Sequence, residues 1–180
     1  MKNEFIIRKA EVSDAEEVSR LLRSAMLTYC ADSGISSSML EAMTESIESV
    51  ADRIAKQTCL VAVFNGKIAG TICIKPVPNP LVYSFSGKTS DYLESCIPAW
   101  YISRFAVKQR YRKTGLGIDL ITRAVGIACE AGAKSVLLHS AASNSNMVDF
   151  YGKRGFELID SENSRGYMRG LFAKSIDLPG

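Results

Sequence analysis

The sequence is poor in the residue types that announce many specialised chemistries. It holds one histidine, His139, one tryptophan and five cysteines among 180 residues. The cysteines (Cys30, Cys59, Cys73, Cys96, Cys129) are odd in number, widely spread and without a CxxC pair, which fits neither a disulfide framework nor a zinc site. Cys59, Cys73 and Cys129 lie in apolar runs and read as small buried hydrophobes, so free thiols in a reducing compartment are expected. No apolar stretch approaches the length of a membrane span. The opening MKNEFIIRKAEVSD turns polar too soon for a signal-peptide core. The expectation is therefore a cytoplasmic protein with no membrane partner. Charge of one sign is also scarce: a net +3 is too small to argue by itself for nucleic acid or anionic lipid. Neither GxxxxGK[ST] nor GxGxxG occurs, which sets aside the P-loop and the dinucleotide fingerprint.

What is present suits an ordinary core. The apolar fraction of 47% and charged fraction of 23% lie near the globular average, and no shift in composition divides the chain, so one domain over 1–180 is expected. Phe5 to Arg8 reads as a first strand. Ser13 with Glu16 forms a capping box before a helix carrying Val18, Leu21, Leu22 and Ala25. Ser38 with Glu41 signals a second helix, on which Leu40, Met43, Ile47, Val50 and Ile54 share a face and Glu41, Glu45 and Glu48 form a solvated one. Asn65-Gly66 between two apolar runs is a hairpin turn, because both residues tolerate positive φ. Residues 76 to 99, opened by three prolines, show no clear period and read as a functional flap or a surface loop. There Tyr83, Phe85 and Tyr92 either line a pocket or subunit contact, or anchor the loop.

From Trp100 the signals sharpen. WYISRFAV is a strand, followed by a basic turn, a helix from about Gly117 to Glu130 ended by Gly132, and SVLLHS as a buried parallel strand. Ser143 and Asn144 cap a short helix carrying Val148, Phe150 and Tyr151, closed by Gly155-Phe156. Strands near Phe156 to Ile159 and Tyr167 to Ile176 complete a mixed sheet. The turn after WYISRFAV holds Lys108, Arg110, Arg112 and Lys113, then Gly115 and Gly117. Glycines let backbone approach an anion, a helix start points unpaired N–H groups at it, and arginine adds bidentate phosphate contacts. That combination is a pyrophosphate cradle.

Arg112-Lys113-Thr114-Gly115-Leu116-Gly117 resembles the R/Q-x-x-G-x-G/A acyl-CoA signature of the GNAT N-acetyltransferases. NSNMVDFYGKRGF, Asn144 to Phe156, is similar to their second signature. The resemblance covers the chain except 76 to 99, where the family has a shorter connection. It implies an α/β fold with a mixed twisted sheet of about six or seven strands flanked by about four helices. It further implies that acetyl-CoA is the co-substrate, without a metal, and that an amine of unidentified identity is the acceptor. In that scheme the strands Tyr101 to Val107 and Val136 to Ser140 splay, and pantetheine bonds near Phe105, Ala106 and Val107. The cradle Arg112, Lys113, Thr114, Gly115, Leu116 and Gly117 holds the pyrophosphate, and Asn144 bonds CoA or a water. A backbone N–H of the splayed strand stabilises the oxyanion. Tyr151 matches the tyrosine that protonates the departing thiolate; its alternative role is packing between helix and sheet. Homodimers are common in the family, so a homodimer is among the implied assemblies.

The general base is not legible. Many family members carry a glutamate on the fourth strand, but WYISRFAV has no carboxylate. His139 could relay a proton, yet strand alternation leaves its facing open. Two other readings compete. A non-catalytic acyl-CoA sensor draws on the missing carboxylate, against which Tyr151 stands. A nucleic-acid patch over 108–113 would use Tyr111 for stacking, against which stand glycines placed directly before a helix.

Overall fold

The computed structural model describes residues 4–163 and 165–176. Seven strands form one mixed sheet in the order β1-β2-β3-β4-β5-β7-β6. Strands β1 (Ile6–Lys9), β2 (Thr58–Phe64), β3 (Lys67–Val77) and β4 (Ala99–Val107) pair in that order, each antiparallel to the one before it. β5 (Ser135–Ala141) lies parallel to β4, and β7 (Arg169–Ser175) sits between β5 and β6 (Glu157–Glu162). The helices are α1 (Ala15–Ser33), α2 (Ile47–Lys56), α3 (Ser90–Ser95), α4 (Leu116–Glu130) and α5 (Ser145–Gly152). The sheet matches the expected architecture. The helix beyond the expected four is α3, formed inside the aperiodic segment. Among the described residues, no helix is long and apolar enough to cross a membrane.

Strand alternation builds two layers of core. Leu60, Ile72, Ile74, Ile102, Val136 and Leu138 pack on one face against Leu116, Leu120 and Ile121 of α4. On the other, Val61 and Cys73 meet Leu21 and Leu22 of α1 and Val50 of α2. That same face continues as Leu137 and Leu171 packed with Val77 and Leu93 of the segment leading into β4. Gly70 serves close approach, since a Cβ there would stand 2.8 Å from a Leu120 methyl and 3.2 Å from the Ala106 carbonyl.

Four local expectations change. The first-turn box is not Ser13 with Glu16: Glu11 donates its N–H to Asp14 at 2.8 Å, and Asp14 also binds Arg8 at 2.7 and 2.9 Å. The helix expected from Ser38 begins at Ile47, where Ser46 Oγ accepts from Ser49 N at 3.1 Å. Before it stand two 3₁₀ turns, Ser37–Met39 and Glu41–Met43. The acidic row is not wholly solvated either, because the Glu45 side chain is only 7% exposed and pairs with both Arg53 and Arg104. Finally, Cys59 and Cys73 are not free; they form a disulfide with Cα atoms 4.1 Å apart. The reason is a register shift. The hairpin turn has positive φ at Asn65 and Gly66 as expected, and Phe64 opposes Lys67, but a bulge at Ala62/Val63 advances the pairing by one residue. Cys73 then replaces Ile72 opposite Cys59. Cys30, Cys96 and Cys129 are free.

Candidate active site

The central feature is a gap in the sheet. β4 and β5 are paired only through Ala99 with Ser135, Trp100 with Val136 and Tyr101 with Leu137. Beyond these residues the strands part. Ile102, Ser103, Ala106 and Val107 keep partners on β3, while Leu138 to Ala141 keep partners on β7. A bulge in β4 accompanies the parting: pairing with β3 shifts between Thr71 and Cys73, and Arg104 adopts φ 52°. Bulges bend and twist a strand. A non-glycine residue at positive φ costs on the order of 1–3 kcal/mol, and Arg104 is held there by its Nε bond to Glu45 at 3.1 Å. Phe105, Ala106 and Val107 thus lie along an edge that β5 leaves unpaired. Phe105 stacks on Phe150 at 5.7 Å, Ala106 is buried toward α1 and α2, and the Val107 carbonyl accepts from Arg112 Nε at 3.2 Å.

The end of β4 runs into the basic turn and α4. Lys113 at φ 64° and Gly115 at φ 95° turn the chain sharply, and Lys113 and Thr114 are exposed. Thr114 Oγ donates to the Tyr111 carbonyl at 2.7 Å and accepts weakly from Leu116 N at 3.5 Å. No side chain of the Gly115 cap satisfies the start of the fifteen-residue helix, so its first N–H groups and dipole are directed at the turn. Leu116 anchors this start in the core, and a Cβ at Gly117 would stand 3.4 Å from the Phe105 ring and 3.7 Å from the Phe150 ring. Tyr111 is packed edge-on against Phe5 at 5.3 Å and Phe64 at 5.6 Å, a position that anchors the turn rather than presenting a stacking platform.

Three titratable rings flank the gap. Tyr151 of α5 is buried against Phe156 and Phe172 on the α4 side, and its hydroxyl makes no hydrogen bond with the described residues. Burial pushes its pKa well above the usual phenol range, with Tyr29 and Tyr101 adding to the effect, so it stays protonated. At the vertex on the opposite face, Tyr101 Oη stands 2.9 Å from His139 Nδ1, while His139 Nε2 stands 3.2 Å from the Tyr83 carbonyl. A carbonyl only accepts, so Nε2 carries the proton and Tyr101 donates to Nδ1. Burial first, and Arg169 next, push the His139 pKa down to about 3. Burial likewise lifts Tyr101 to about 12. The pair is therefore neutral near pH 7.

The segment expected as flap or loop covers this pair. Tyr83 stacks on Tyr101 at 4.2 Å with 2° between the planes, and Phe85 lies 5.0 Å from the imidazole. One carboxylate of β6 ties the segment down. Asp160 accepts from Phe85 N at 3.1 Å, Ser86 N at 3.0 Å and Thr89 Oγ at 3.1 Å, with Ser86 Oγ at 3.2 Å. These donors hold its pKa low against the opposing cost of burial. Tyr92, the third aromatic residue of the segment, is exposed.

The C-terminal end of α1 is stitched to the far side of the gap. Tyr29 Oη accepts from Ala141 N at 2.6 Å, Ser143 Oγ donates to the Ser33 carbonyl at 2.8 Å, and Asn144 Nδ2 donates to Ser33 Oγ at 3.0 Å. Asn144 Oδ1 accepts from Met147 N at 3.1 Å. Both ends of this buried amide are thus engaged, capping α5 and tying it to α1. Sequence reasoning missed Tyr101, Tyr29 and Asp160. Tyr101 alone left a signal: it lies in the strand whose missing carboxylate drew notice, and it too carries a proton.

Comparison with known proteins agrees with this geometry. Residues 19–156 match the model of the Acetyltransferase (GNAT) family. The N-alpha-acetyltransferase MAK3 of Arabidopsis thaliana is 31% identical over 100 residues, which is 56% of this chain and 45% of that protein. Human N-alpha-acetyltransferase 30 is 30% identical over 78 residues, 43% of this chain and 21% of that protein. The chain thus spans less than half the length of these relatives. Among solved structures, the PaiA N-acetyltransferase of Thermoplasma acidophilum in complex with coenzyme A superposes with a TM-score of 0.76 at 21% identity, covering 96% of this chain and 99% of that one. The ribosomal-protein-S18-alanine N-acetyltransferase of Escherichia coli superposes with a TM-score of 0.70 at 17% identity, covering 98% and 97%. With a family match over more than half its length and the parted strands, basic turn and uncapped helix in place, the chain belongs to the GNAT acetyltransferase family.

Proposed function

We propose that this chain is an N-acetyltransferase that uses acetyl-CoA and acts on the α-amino group of a peptide or protein. The observation that carries the reading is the gap between β4 and β5, which leads from the neutral Tyr101–His139 pair to the uncapped start of α4. An elongated ligand with a pyrophosphate fits that path: an unpaired strand edge for an amide-bearing arm, then helix N–H groups and cations for the phosphates. Phe105, Ala106 and Val107 would supply the edge. Arg112, Lys113, Thr114, Gly115, Leu116 and Gly117 would supply the cradle, while the Asn144 amide is already engaged in capping α5 and holding Ser33. Acetyl-CoA brings an activated thioester; the chain's own groups handle position and protons.

The acceptor nitrogen has to lose a proton as its bond to the acyl carbon forms. Tyr101 and His139 lie where that proton can pass, directly or through a water, to Nδ1 of the imidazole. Tyr151, kept protonated by burial, donates to the sulfur as the C–S bond breaks. The preference for an α-amine draws on the relatives' names, N-alpha-acetyltransferase, in two plants-to-mammals matches of partial coverage. The test is to incubate the protein with acetyl-CoA and a peptide bearing both a free α-amine and an internal lysine, and to map the product by mass spectrometry. Acetylation at the α-amine supports the reading. Acetylation confined to lysine overturns the acceptor class, and failure to bind acetyl-CoA in a calorimetric titration overturns the transfer itself.

A further inference from the structure

Three arginines stand around the Tyr101–His139 pair, each with one carboxylate as ion-pair partner. Arg104 leaves the bulge of β4 on the α1 side, where it meets Glu45. Arg169 pairs with Ala141 across β5 and β7, hence on the same sheet face as His139 two residues before it. Its guanidinium lies 5.4 Å from the Phe85 ring, which itself contacts the imidazole. Arg165 stands in the turn that leads into β7, opposite Glu41 of the α1–α2 connection.

The nearby carboxylates are Glu45, Glu41, Glu162 and Asp160. Glu45 is shared between Arg53 and Arg104. Asp160 is consumed by backbone and hydroxyl donors of the covering segment. Glu41 and Glu162 approach Arg165 and Arg169 only to 3.7 Å in each case, beyond hydrogen-bonding distance. Among the described residues Arg165 and Arg169 donate no hydrogen bond, and of Arg104 only Nε does. Three guanidinium groups therefore retain donors beside a pair that carries no charge. Arg169 and Arg104 act on Tyr101, and Arg169 and Arg165 act on His139.

An ammonium entering such a site is repelled, whereas an amine with its own anion is drawn in by bidentate contacts. We infer that Arg104, Arg165 and Arg169 form a carboxylate subsite, so that the acceptor is an amine with a carboxylate a few bonds away. Two sources share that chemistry: an acidic side chain next to a peptide's N-terminus, and the α-carboxylate of a free amino acid. The same positive field lowers the acceptor's ammonium pKa and raises the fraction that can attack. The inference rests on the acetyl-transfer reading above for its function, but not for its binding chemistry.

The test compares peptides that begin Ala-Glu, Ala-Gln and Ala-Lys and are otherwise identical, together with free alanine and alaninamide. Both kcat/KM and calorimetric affinity for the CoA-saturated protein are measured. The expected result is a preference of about tenfold or more for the carboxylate-bearing member of a pair, and its loss in an Arg165→Gln, Arg169→Gln double variant that still binds acetyl-CoA. Arg165→Lys, which keeps the charge, should retain most of the preference. Preference within the peptides identifies the side chain as source; preference for alanine over alaninamide identifies the α-carboxylate. Equal turnover of all members, or a preference for Ala-Lys, overturns the subsite and leaves acetyl transfer standing. Selective binding of the acidic members without turnover keeps the subsite and overturns transfer, and neither selectivity nor turnover overturns both.

Discussion

Tyr151, buried, and Tyr101, half-buried, are phenols on opposite faces of one sheet, and the proposed mechanism gives them different tasks. Tyr151 has aromatic neighbours and, among the described residues, no hydrogen-bond partner, so its proton is its chemical asset. Tyr151→Phe should lower kcat by about 10²-fold or more, the usual scale for a lost general acid, while calorimetric affinity for acetyl-CoA changes little; unchanged turnover would remove the acid role. His139 supplies a second test, through pH. Its folded pKa of about 3 lies below the unfolded value of about 6.5, so the unfolded chain binds the extra proton first. The neutral imidazole's contribution is then complete above pH 6.5 and is lost as pH falls toward 3, by at most about 1.4 kcal/mol per unit. Urea titrations of wild type and His139→Gln should therefore show a stability gap that narrows on acidification. A constant gap would mean that the imidazole is not buried neutral. For the same reason kcat/KM should show no inflection near 6.5 assignable to this residue.

At the scale of elements, the segment between β3 and β4 behaves as a cover with one fastening. Asp160 gathers donors from Phe85 to Thr89, and Tyr83 and Phe85 reach the Tyr101–His139 pair from the same stretch. Asp160→Asn removes the charge and part of the acceptor capacity, at a cost of about 1–3 kcal/mol. Amide exchange at Phe85 and Ser86 should rise more than exchange in β5, and KM for the acceptor should move more than KM for acetyl-CoA. Equal exchange in both regions would make Asp160 an ordinary part of the core. The start of α4 gives a sharper test. Gly115 has φ 95° with open space where a side chain would stand, so Gly115→Asp places a carboxylate beside the cradle and adds backbone strain of about 1 kcal/mol or more. Acetyl-CoA affinity should fall far more than thermal stability, as calorimetry beside a melting curve would record.

Over the whole molecule, the sheet separates two cores that share no side chains. Leu120 packs on the α4 face and Leu21 on the α1 face, each with 2% exposure or less. Either leucine changed to alanine should cost about 2–5 kcal/mol. The double variant should lose the sum to within about 0.5 kcal/mol, as distant sites do; a larger coupling in chemical denaturation would mean that the sheet transmits strain between its faces. The sequence by itself determined the order and type of most elements, the Asn65-Gly66 hairpin, the basic glycine turn before α4 and the place of Tyr151 on α5. These depend on capping, periodicity and turn preference, which act over a few neighbouring residues. Only the tertiary structure decided which residues far apart in sequence stand together. One bulge set Cys73 rather than Ile72 against Cys59, another parted β4 from β5, and pairing across β4 and β5 brought Tyr101 to His139. Glu45 stands just before the expected helix, paired with Arg53 of that helix and with Arg104 of β4. Register and ion pairing follow from the summed packing of the sheet, and no window of adjacent residues contains that sum.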